Sequence, residues 1–324
     1  MSATRHVLLT GATGFVGSHV AELLSLEGLR VRCTARPTSD LRWLSGLPVE
    51  IRETDLSSRA SVDSALEGVT DVVHAAGLTR ARRDAEYFRV NAEATQLVAE
   101  AAVAAGVGRF VLVSSLAARG PDGAPGPVSA YGASKREAEE RLASVAERSA
   151  GSLATRVLRP GGVYGPRDRE LLPLFRVAAL GFLPAPPGTG RLQPVHARDA
   201  AAAVLRALLG DGEDPGPIAI GGPAVHDWAE VAAALGAAIG RPVRLVRVPR
   251  QFFLAAGALA ELAAEALRRA PDLDRRRARD LTRLSWTCDL GPAERGLGWT
   301  PSVTLRNGLA ETATWYREAG WLRR

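Results

Sequence analysis

The hydrophobic pattern in the first half of the chain alternates short, β-branched apolar runs with longer amphipathic stretches. Six runs are predicted to be strands: His6–Thr10, Leu29–Ala35, Val49–Glu53, Asp71–Ala75, Arg109–Val113 and Leu153–Leu158. The stretches between them are predicted to be helices: Val16–Glu27, Ser58–Glu67, Asp84–Ala105 and Tyr131–Ser149. Because right-handed crossovers join parallel strands, this alternation predicts an α/β fold with a doubly wound parallel sheet.

The pattern changes after Arg159-Pro160-Gly161-Gly162, where proline and glycine interrupt shorter elements. Four further helices are predicted: Arg198–Leu209, Asp227–Ile239, Gln251–Arg268 and Leu305–Ala319. We therefore expect one domain over residues 1–160 and a smaller C-terminal α/β domain over residues 161–324, with some elements interleaved between the two.

A glycine-rich motif lies between the first predicted strand and the first predicted helix, with the sequence Thr10-Gly11-Ala12-Thr13-Gly14-Phe15-Val16-Gly17. Gly11 suits a tight turn, Gly14 a close approach to a pyrophosphate, and Gly17 close packing of helix on strand. The N–H groups at the helix N-terminus attract phosphate oxygens. Residues 1–160 are thus predicted to form a dinucleotide-binding domain of Rossmann type.

The end of the second strand indicates which dinucleotide is preferred. NAD sites usually have a carboxylate there, whereas this chain has Arg36, with Arg32 nearby and Thr38 and Ser39 as further donors. A guanidinium suits a 2′-phosphate, which favours NADP(H); NAD(H) stays possible, since Arg36 could equally be an ordinary surface arginine.

Two further segments extend this predicted site. Asp55 follows the third strand, where its carboxylate could accept from the adenine amino group or cap the next helix. The small residues of His74-Ala75-Ala76-Gly77 end the fourth strand and leave room for a cofactor over the carboxyl edge of the sheet.

Tyr131 and Lys135 lie four residues apart and so share one face of a predicted helix. A free phenol titrates near pH 10, and a neighbouring ammonium stabilises its phenolate, so the pair could exchange a proton with a carbonyl oxygen. The chain has 41 Lys and Arg residues, and Lys135 is its only lysine. This choice indicates a position that needs a compact ammonium able to reach several acceptors.

Two serines end the fifth strand at the same edge. A hydroxyl there could donate to a developing oxyanion; we favour Ser115 over Ser114 for this role, although either could instead cap the following turn. Asn91 is expected near this edge, either orienting water or backbone or serving as an ordinary helix residue.

The bulk composition restricts the function classes. No apolar run is long enough to span a membrane, and the first residues resemble a buried strand more than a signal peptide. The 2 cysteines form neither a disulfide framework nor a metal site, so we expect a cytoplasmic protein without a metal. The net charge is +6, but without interleaved aromatic residues we expect no nucleic-acid partner.

Together these motifs strongly resemble the extended short-chain dehydrogenase/reductase family. They are TGATGFVG at 10–17, DL at 55–56, HAAG at 74–77, VN at 90–91, VSS at 113–115, YGASK at 131–135, LRPGGVYGPR at 158–167, VHARDAA at 195–201 and LGWTPSVTLRNGLAETATWYREAGWL at 297–322. The resemblance implies a catalytic triad of Ser115, Tyr131 and Lys135, a C-terminal domain that binds substrate, and a homodimer. It also implies cofactor contacts, with Pro160 and Gly161 beside the nicotinamide. The full predicted set is Thr10, Gly11, Thr13, Gly14, Phe15, Val16, Gly17, Arg36, Asp55, Leu56, Ala75, Ala76, Gly77, Ser114, Tyr131, Lys135, Pro160, Gly161 and Val163.

The family contains both nucleotide-sugar epimerases or dehydratases and reductases similar to dihydroflavonol reductase and 3β-hydroxysteroid dehydrogenase. Arg36, the segment Ser285–Asp289 and the few polar residues in Leu171–Gly190 favour the second group. We therefore expect an NADP(H)-dependent oxidoreductase that acts on an apolar ketone or secondary alcohol, with Tyr131 as the acid and base. A nucleotide-sugar epimerase or dehydratase is the alternative, because four arginines could meet a diphosphate: Arg167, Arg169, Arg191 and Arg198. A non-catalytic cofactor-binding protein is a second alternative.

Overall fold

The computed structural model describes residues 5–188, 190–210, 216–249, 251, 252, 255 and 285–322. Apart from three residues, the predicted helix Gln251–Arg268 lies outside these ranges, and so does the arginine-rich segment that follows it.

The described elements alternate along the chain. The strands are β1 His6–Thr10, β2 Arg30–Ala35, β3 Glu50–Glu53, β4 Asp71–His74, β5 Arg109–Val113, β6 Ala154–Pro160, β7 Val163–Tyr164, β8 Phe182–Ala185, β9 Arg191–Leu192, β10 Val195–His196, β11 Ile218–Ile220, β12 Arg244–Arg247 and β13 Ser285–Trp286. The helices are α1 Phe15–Leu26, α2 Arg59–Leu66, α3 Asp84–Tyr87, α4 Ala94–Ala104, α5 Ala130–Arg148, α6 Leu172–Ala178, α7 Ala197–Leu209, α8 Trp228–Ile239, α9 Gly291–Leu297 and α10 Leu305–Glu318.

A seven-stranded sheet organises the molecule, in the order β11-β6-β5-β4-β1-β2-β3. Every neighbouring pair in it is parallel. This confirms the predicted doubly wound Rossmann sheet, and the six predicted strands are present with ends that differ by at most two residues.

Both faces of the sheet are covered, which explains why its strands appear as continuous apolar runs. Val7 and Leu9 of β1 pack on one side with α1 and α7, while Leu8 packs on the other side with α2, α4 and α5. A third cluster joins α6, α8 and α10 in the C-terminal part.

The second half of the chain contributes to the main sheet. β11, which was not predicted from the sequence, pairs with β6 at the sheet edge, and α7 packs in the same core cluster as α1. The apolar run of β11 has only three residues between glycine- and proline-rich segments, so the pattern is too short to predict a strand. β11 and α7 therefore belong to the main sheet and to the layer that covers it, while the division into domains at residue 160 stays a prediction.

The predicted helix Asp84–Ala105 is three consecutive pieces: α3, a π-helical turn over Phe88–Glu93, and α4. A π-turn inserts one residue into the helical repeat, and the apolar pattern does not reveal it. Asn91 lies within this turn. In the ranges that the structure describes, no helix is both long and apolar enough to cross a membrane.

Candidate active site

The glycine-rich turn between β1 and α1 is in direct contact with the turn that follows β4. Gly11 has φ +72°, and a Cβ there would lie 2.6 Å from the backbone N of Ala76. A Cβ on Gly17 would lie 2.1 Å from the carbonyl O of Gly11. Both positions therefore require glycine, one for its conformation and both for space.

Thr10, at the end of β1, connects the same two turns by hydrogen bonds. Its hydroxyl pairs with His74 Nδ1 at 2.8 Å and accepts from the N–H of Ala76 at 3.2 Å. Because Thr10 is fully buried, its side chain shapes the turn. The cofactor contact that we predicted for this residue stays a prediction.

Residues Ala75–Gly77 connect the glycine turn to α5. A Cβ on Gly77 would lie 3.1 Å from Lys135 Nζ and 3.0 Å from Asn91 Oδ1. The structure thus brings Lys135 to the carboxyl edge of the sheet, beside the turns predicted to hold a dinucleotide.

Helix α5 carries both predicted proton-transfer residues in its first two turns. Ser129 caps its N-terminus by accepting from the N–H of Gly132 at 3.2 Å. Tyr131 is half-buried, with its ring edge-to-face against Tyr87 at 6.0 Å between centroids. One turn later, Lys135 is 5% exposed, and its ammonium donates to the carbonyl O of Val113 at 3.0 Å.

Burial changes the acid–base behaviour of Lys135. Loss of solvent lowers its pKa to about 8, and the carboxylate of Glu139 opposes this effect. The same desolvation lowers the pKa of His74 to about 3, with repulsion from Lys135 adding to it, so His74 is neutral at physiological pH. Lys135 is therefore a cation whose charge depends on its immediate neighbours.

Two adjacent serines at the end of β5 have different partners. Ser114 is buried and donates to Glu139. Ser115 is half-buried, and its hydroxyl accepts from the N–H of Ala117 at 3.2 Å, which leaves the hydroxyl hydrogen for another acceptor. Ser115 thus caps the turn Leu116–Ala118 and keeps a donor that a substrate oxygen could use.

Asn91 connects three segments around the site. Its amide donates to Ser134 Oγ at 2.9 Å and to the carbonyl O of Leu78 at 3.1 Å. Its carbonyl accepts from the N–H of Leu78 at 2.7 Å. Of the two roles that we considered for Asn91, these contacts fit the orientation of backbone.

The adenosine end of the predicted site lies where β2 and β3 end side by side. Arg36 is exposed, and the hydroxyl of Ser39 accepts from its backbone N–H at 3.0 Å. The structure corrects the expectation for Arg32: this residue is 8% exposed and donates to Glu50 and to backbone carbonyls of α2 and its C-terminal end. It is therefore not available beside Arg36.

Asp55 is exposed at the same edge and does not cap α2, because Ser58 does. Its carboxylate accepts from the N–H and the hydroxyl of Ser57 at 2.9 and 2.7 Å. The hydroxyl bond first, then the backbone bond, holds the pKa of Asp55 below its usual range. The adjacent Leu56 is half-buried. Contact of either residue with the adenine stays a prediction.

The last predicted segment follows β6. Gly161 donates its N–H to Ile220 O at 2.8 Å, and a Cβ on Gly161 would lie 3.3 Å from Gln193 O. Val163 pairs with Val195 in the short β7–β10 ladder. Gln193, which we did not predict, is buried here, with its side chain bonded to Gly222 O and to the N–H of Cys288.

These residues fit a bound dinucleotide. Gly14 caps α1 without a side-chain hydrogen bond, so the first N–H groups of the helix have no capping side chain. The half-buried Thr13, Phe15 and Val16 surround that terminus. A positive helix end, close backbone contacts at Gly11 and Gly17, and small residues at 75–77 are the features that a pyrophosphate and a nicotinamide ribose require.

The doubly wound sheet and this edge fit a nicotinamide-dependent enzyme that acts on alcohol or carbonyl groups, and comparison with known proteins shows that class. The chain belongs to the NAD-dependent epimerase/dehydratase family, whose sequence profile matches residues 7–221.

Individual relatives span almost the whole chain. A ceramide reductase of Caulobacter vibrioides is 36% identical over 98% of this chain and 96% of its own length. Among solved structures, gox2253 is 26% identical with a TM-score of 0.79, over 98% of this chain and 99% of that one. MoeE5, solved with UDP-glucuronic acid and NAD, is 28% identical with a TM-score of 0.74, over 97% of this chain and 99% of that one.

Proposed function

We propose that this protein is an NADP(H)-dependent reductase of a ketone on an apolar, lipid-like molecule, with Tyr131 as the proton donor. The observation that supports this most is that Tyr131 lies one turn before Lys135 on α5, and the buried Lys135 ammonium lies directly beside Gly77. Bound NADPH would supply the hydride.

In the reducing direction, the protein's own groups handle the proton and orient the carbonyl. The hydroxyl of Ser115 donates to the carbonyl oxygen, and the phenol of Tyr131 transfers its proton to that oxygen as hydride arrives at the carbon. The ammonium of Lys135 stabilises the phenolate that remains, until a proton from solvent restores it. The net change is one ketone, one hydride and one proton converted to one secondary alcohol.

The arginines that could have met a sugar diphosphate favour this assignment, because most of them already have partners. Arg167 pairs with Glu22 at 2.6 Å, and Arg198 pairs with both carboxylate oxygens of Glu311 at 2.7 Å. The guanidinium of Arg169 lies over the Trp321 ring, 5.1 Å from its centroid.

The substrate class comes from the relatives. The ceramide reductase matches 98% of this chain, and its 36% identity is higher than the 28% identity of MoeE5. A long-chain ketone is therefore the first substrate to test. Because MoeE5 was solved with UDP-glucuronic acid, an epimerase or dehydratase of nucleotide sugars is the second candidate function. The homodimer that the family resemblance implies, and substrate binding by the C-terminal part, belong to the same proposal.

The test uses the purified protein with two substrate sets. NADPH is incubated with ketones that share one head group and differ in alkyl chain length, and NAD is incubated with UDP-glucose and UDP-glucuronic acid. We expect loss of NADPH absorbance with one alcohol formed per NADPH consumed, and a kcat/KM that increases with chain length. Conversion of a UDP-sugar without net cofactor turnover, together with no oxidation of NADPH by any ketone, would overturn the proposal.

A further inference from the structure

A buried ion pair lies directly behind the predicted catalytic residues. Glu139 on α5 accepts from Arg159 Nε on β6 at 3.0 and 3.1 Å, and a second guanidinium nitrogen also donates to it. The side chains of Glu139 and Arg159 are 6% and 18% exposed. Removing two charges from water costs several kcal/mol per ion, so a core position would ordinarily favour apolar residues.

The pair is connected to both catalytic elements. Glu139 follows Lys135 by four residues, which places the two side chains on one face of α5. It also accepts from the hydroxyl of Ser114. Ser114 lies between Val113, whose carbonyl accepts from Lys135, and Ser115. One carboxylate thus links α5, the end of β5 and β6 at the point where the proposed reaction occurs.

The charge of Lys135 depends on the charged and titratable groups around it, and Glu139 is an important one of these. His74 on β4 is neutral, and Asn91 from the π-turn carries no charge. In the proposed mechanism Tyr131 on α5 holds its phenol proton until the reaction. Arg159 on β6 is cationic but bonded to Glu139. Glu139 is thus the anion among these groups, and its charge counteracts the effect of desolvation on the pKa of Lys135.

We propose that Glu139, held by Arg159 and Ser114, is a positioning residue that keeps the Lys135 ammonium charged beside the Ala75–Gly77 turn. The catalytic meaning of this role rests on the proposed function, since Lys135 must be cationic to stabilise the phenolate of Tyr131. The charge itself can be measured without any substrate.

The single lysine makes that measurement direct. Protein grown with lysine labelled with ¹³C at Cε contains one labelled residue, Lys135, so its NMR shift against pH gives one titration curve. The wild-type midpoint is expected near pH 8, below that of a free lysine.

Two substitutions should move this midpoint in opposite directions. Glu139→Gln removes the anion and leaves Arg159 uncompensated, so the midpoint should fall by about 1 pH unit or more. Arg159→Gln removes a competing cation and leaves Glu139 facing Lys135, so the midpoint should rise. Glu139→Asp keeps the charge and should restore a value near the wild type.

The matched control is Glu140→Gln, which removes the same charge from the neighbouring position of α5. Its side chain is 65% exposed and pairs with Arg136 on the surface, so we expect no shift of the Lys135 midpoint. Circular dichroism verifies that each variant is folded at the start and end of the titration. If Glu139→Gln does not fold, the Arg159→Gln variant alone tests the proposal: a rise of the Lys135 midpoint supports it, and a fall contradicts it.

An unchanged midpoint in Glu139→Gln, or a fall in Arg159→Gln, would overturn this proposal, because an anion that keeps Lys135 charged must raise its pKa and a competing cation must lower it. Where turnover is found, the pH above which kcat/KM declines should move with the NMR midpoint. Absence of turnover with every ketone would refute the proposed function alone, since the lysine titration needs neither substrate nor cofactor.

Discussion

At the scale of single residues, local contacts separate side chains that look equivalent in the sequence. Ser114 and Ser115 are adjacent, yet one hydroxyl is bonded to the buried Glu139 and the other keeps its hydrogen at the site. Arg32 and Arg36 lie on one strand and its end, yet only Arg36 is exposed at the carboxyl edge. The role of each residue therefore depends on which neighbour the fold brings to it.

Arg36 gives the first prediction. Replacing it with serine should weaken NADPH binding about 10- to 100-fold and leave NADH binding nearly unchanged, because only NADPH carries the 2′-phosphate that a charge-assisted bond would hold. Dissociation constants for both dinucleotides, measured by isothermal titration calorimetry, check this.

Arg30→Ser is the control for Arg36. It removes an exposed arginine from the opposite end of the same strand and should change neither constant. An equal loss of NADPH affinity in both variants would mean that Arg36 contributes only general positive charge.

At the scale of elements, α5 is positioned by a close backbone contact. A Cβ on Gly132 would lie 2.4 Å from the carbonyl O of Ala117, in the turn that Ser115 caps. The helix bearing Tyr131 and Lys135 thus packs directly on the turn that carries Ser115, and this contact sets the distance between them.

Gly132→Ala should therefore separate the two catalytic elements. We expect a loss of stability of about 1–3 kcal/mol, typical of overpacking, and a larger fall in kcat than in dinucleotide affinity. Thermal unfolding and kinetics measure the two effects. Gly108→Ala is the matched control, since its Cβ would meet nothing closer than 3.9 Å. Unaltered turnover in Gly132→Ala would show that the contact does not set the site geometry.

Most strands and helices could be predicted from the sequence, and the elements that could not be predicted have identifiable physical reasons. The patterns of the glycine motif and the six strands are longer than any local irregularity, so the fold could be predicted, and so could the sheet edge at which the candidate site residues lie. The π-turn at Asn91 could not be predicted, because it changes the helical repeat by a single residue. The strand β11 could not be predicted either, because it has only three residues. The pairing of Glu139 with Arg159 spans 20 positions and exists only after α5 has packed on β6.

At the scale of the whole molecule, one carboxylate ties the Rossmann core to the C-terminal segment. Asp199 on α7 accepts from the N–H of Ser302 at 3.0 Å, from the hydroxyl of Ser302 at 2.9 Å and from the N–H of Val303 at 2.8 Å. Its backbone carbonyl accepts from the Trp299 indole at 3.1 Å. The chain before α10 is thereby fixed against the helix that covers the sheet.

Asp199→Asn should loosen this connection. The amide oxygen can still accept from the two backbone N–H groups, and the N–H₂ group meets the Ser302 hydroxyl, but the negative charge is lost. Because the bonds are then no longer charge-assisted, we expect the unfolding free energy to fall by about 1–3 kcal/mol. Chemical denaturation measures it. The surface substitution Asp63→Asn, which affects only an exposed pair with Arg59, should cost well under 1 kcal/mol. Equal losses in the two variants would contradict the role of Asp199.

The most direct test of the account is Tyr131→Phe, which removes one phenol oxygen. Turnover of the best ketone should fall about 100-fold or more, because the proton donor is lost, while the NADPH dissociation constant stays within a few-fold of the wild type. Tyr316→Phe removes a phenol oxygen from the C-terminal cluster and should leave turnover intact. Wild-type turnover in Tyr131→Phe would contradict the proposed mechanism.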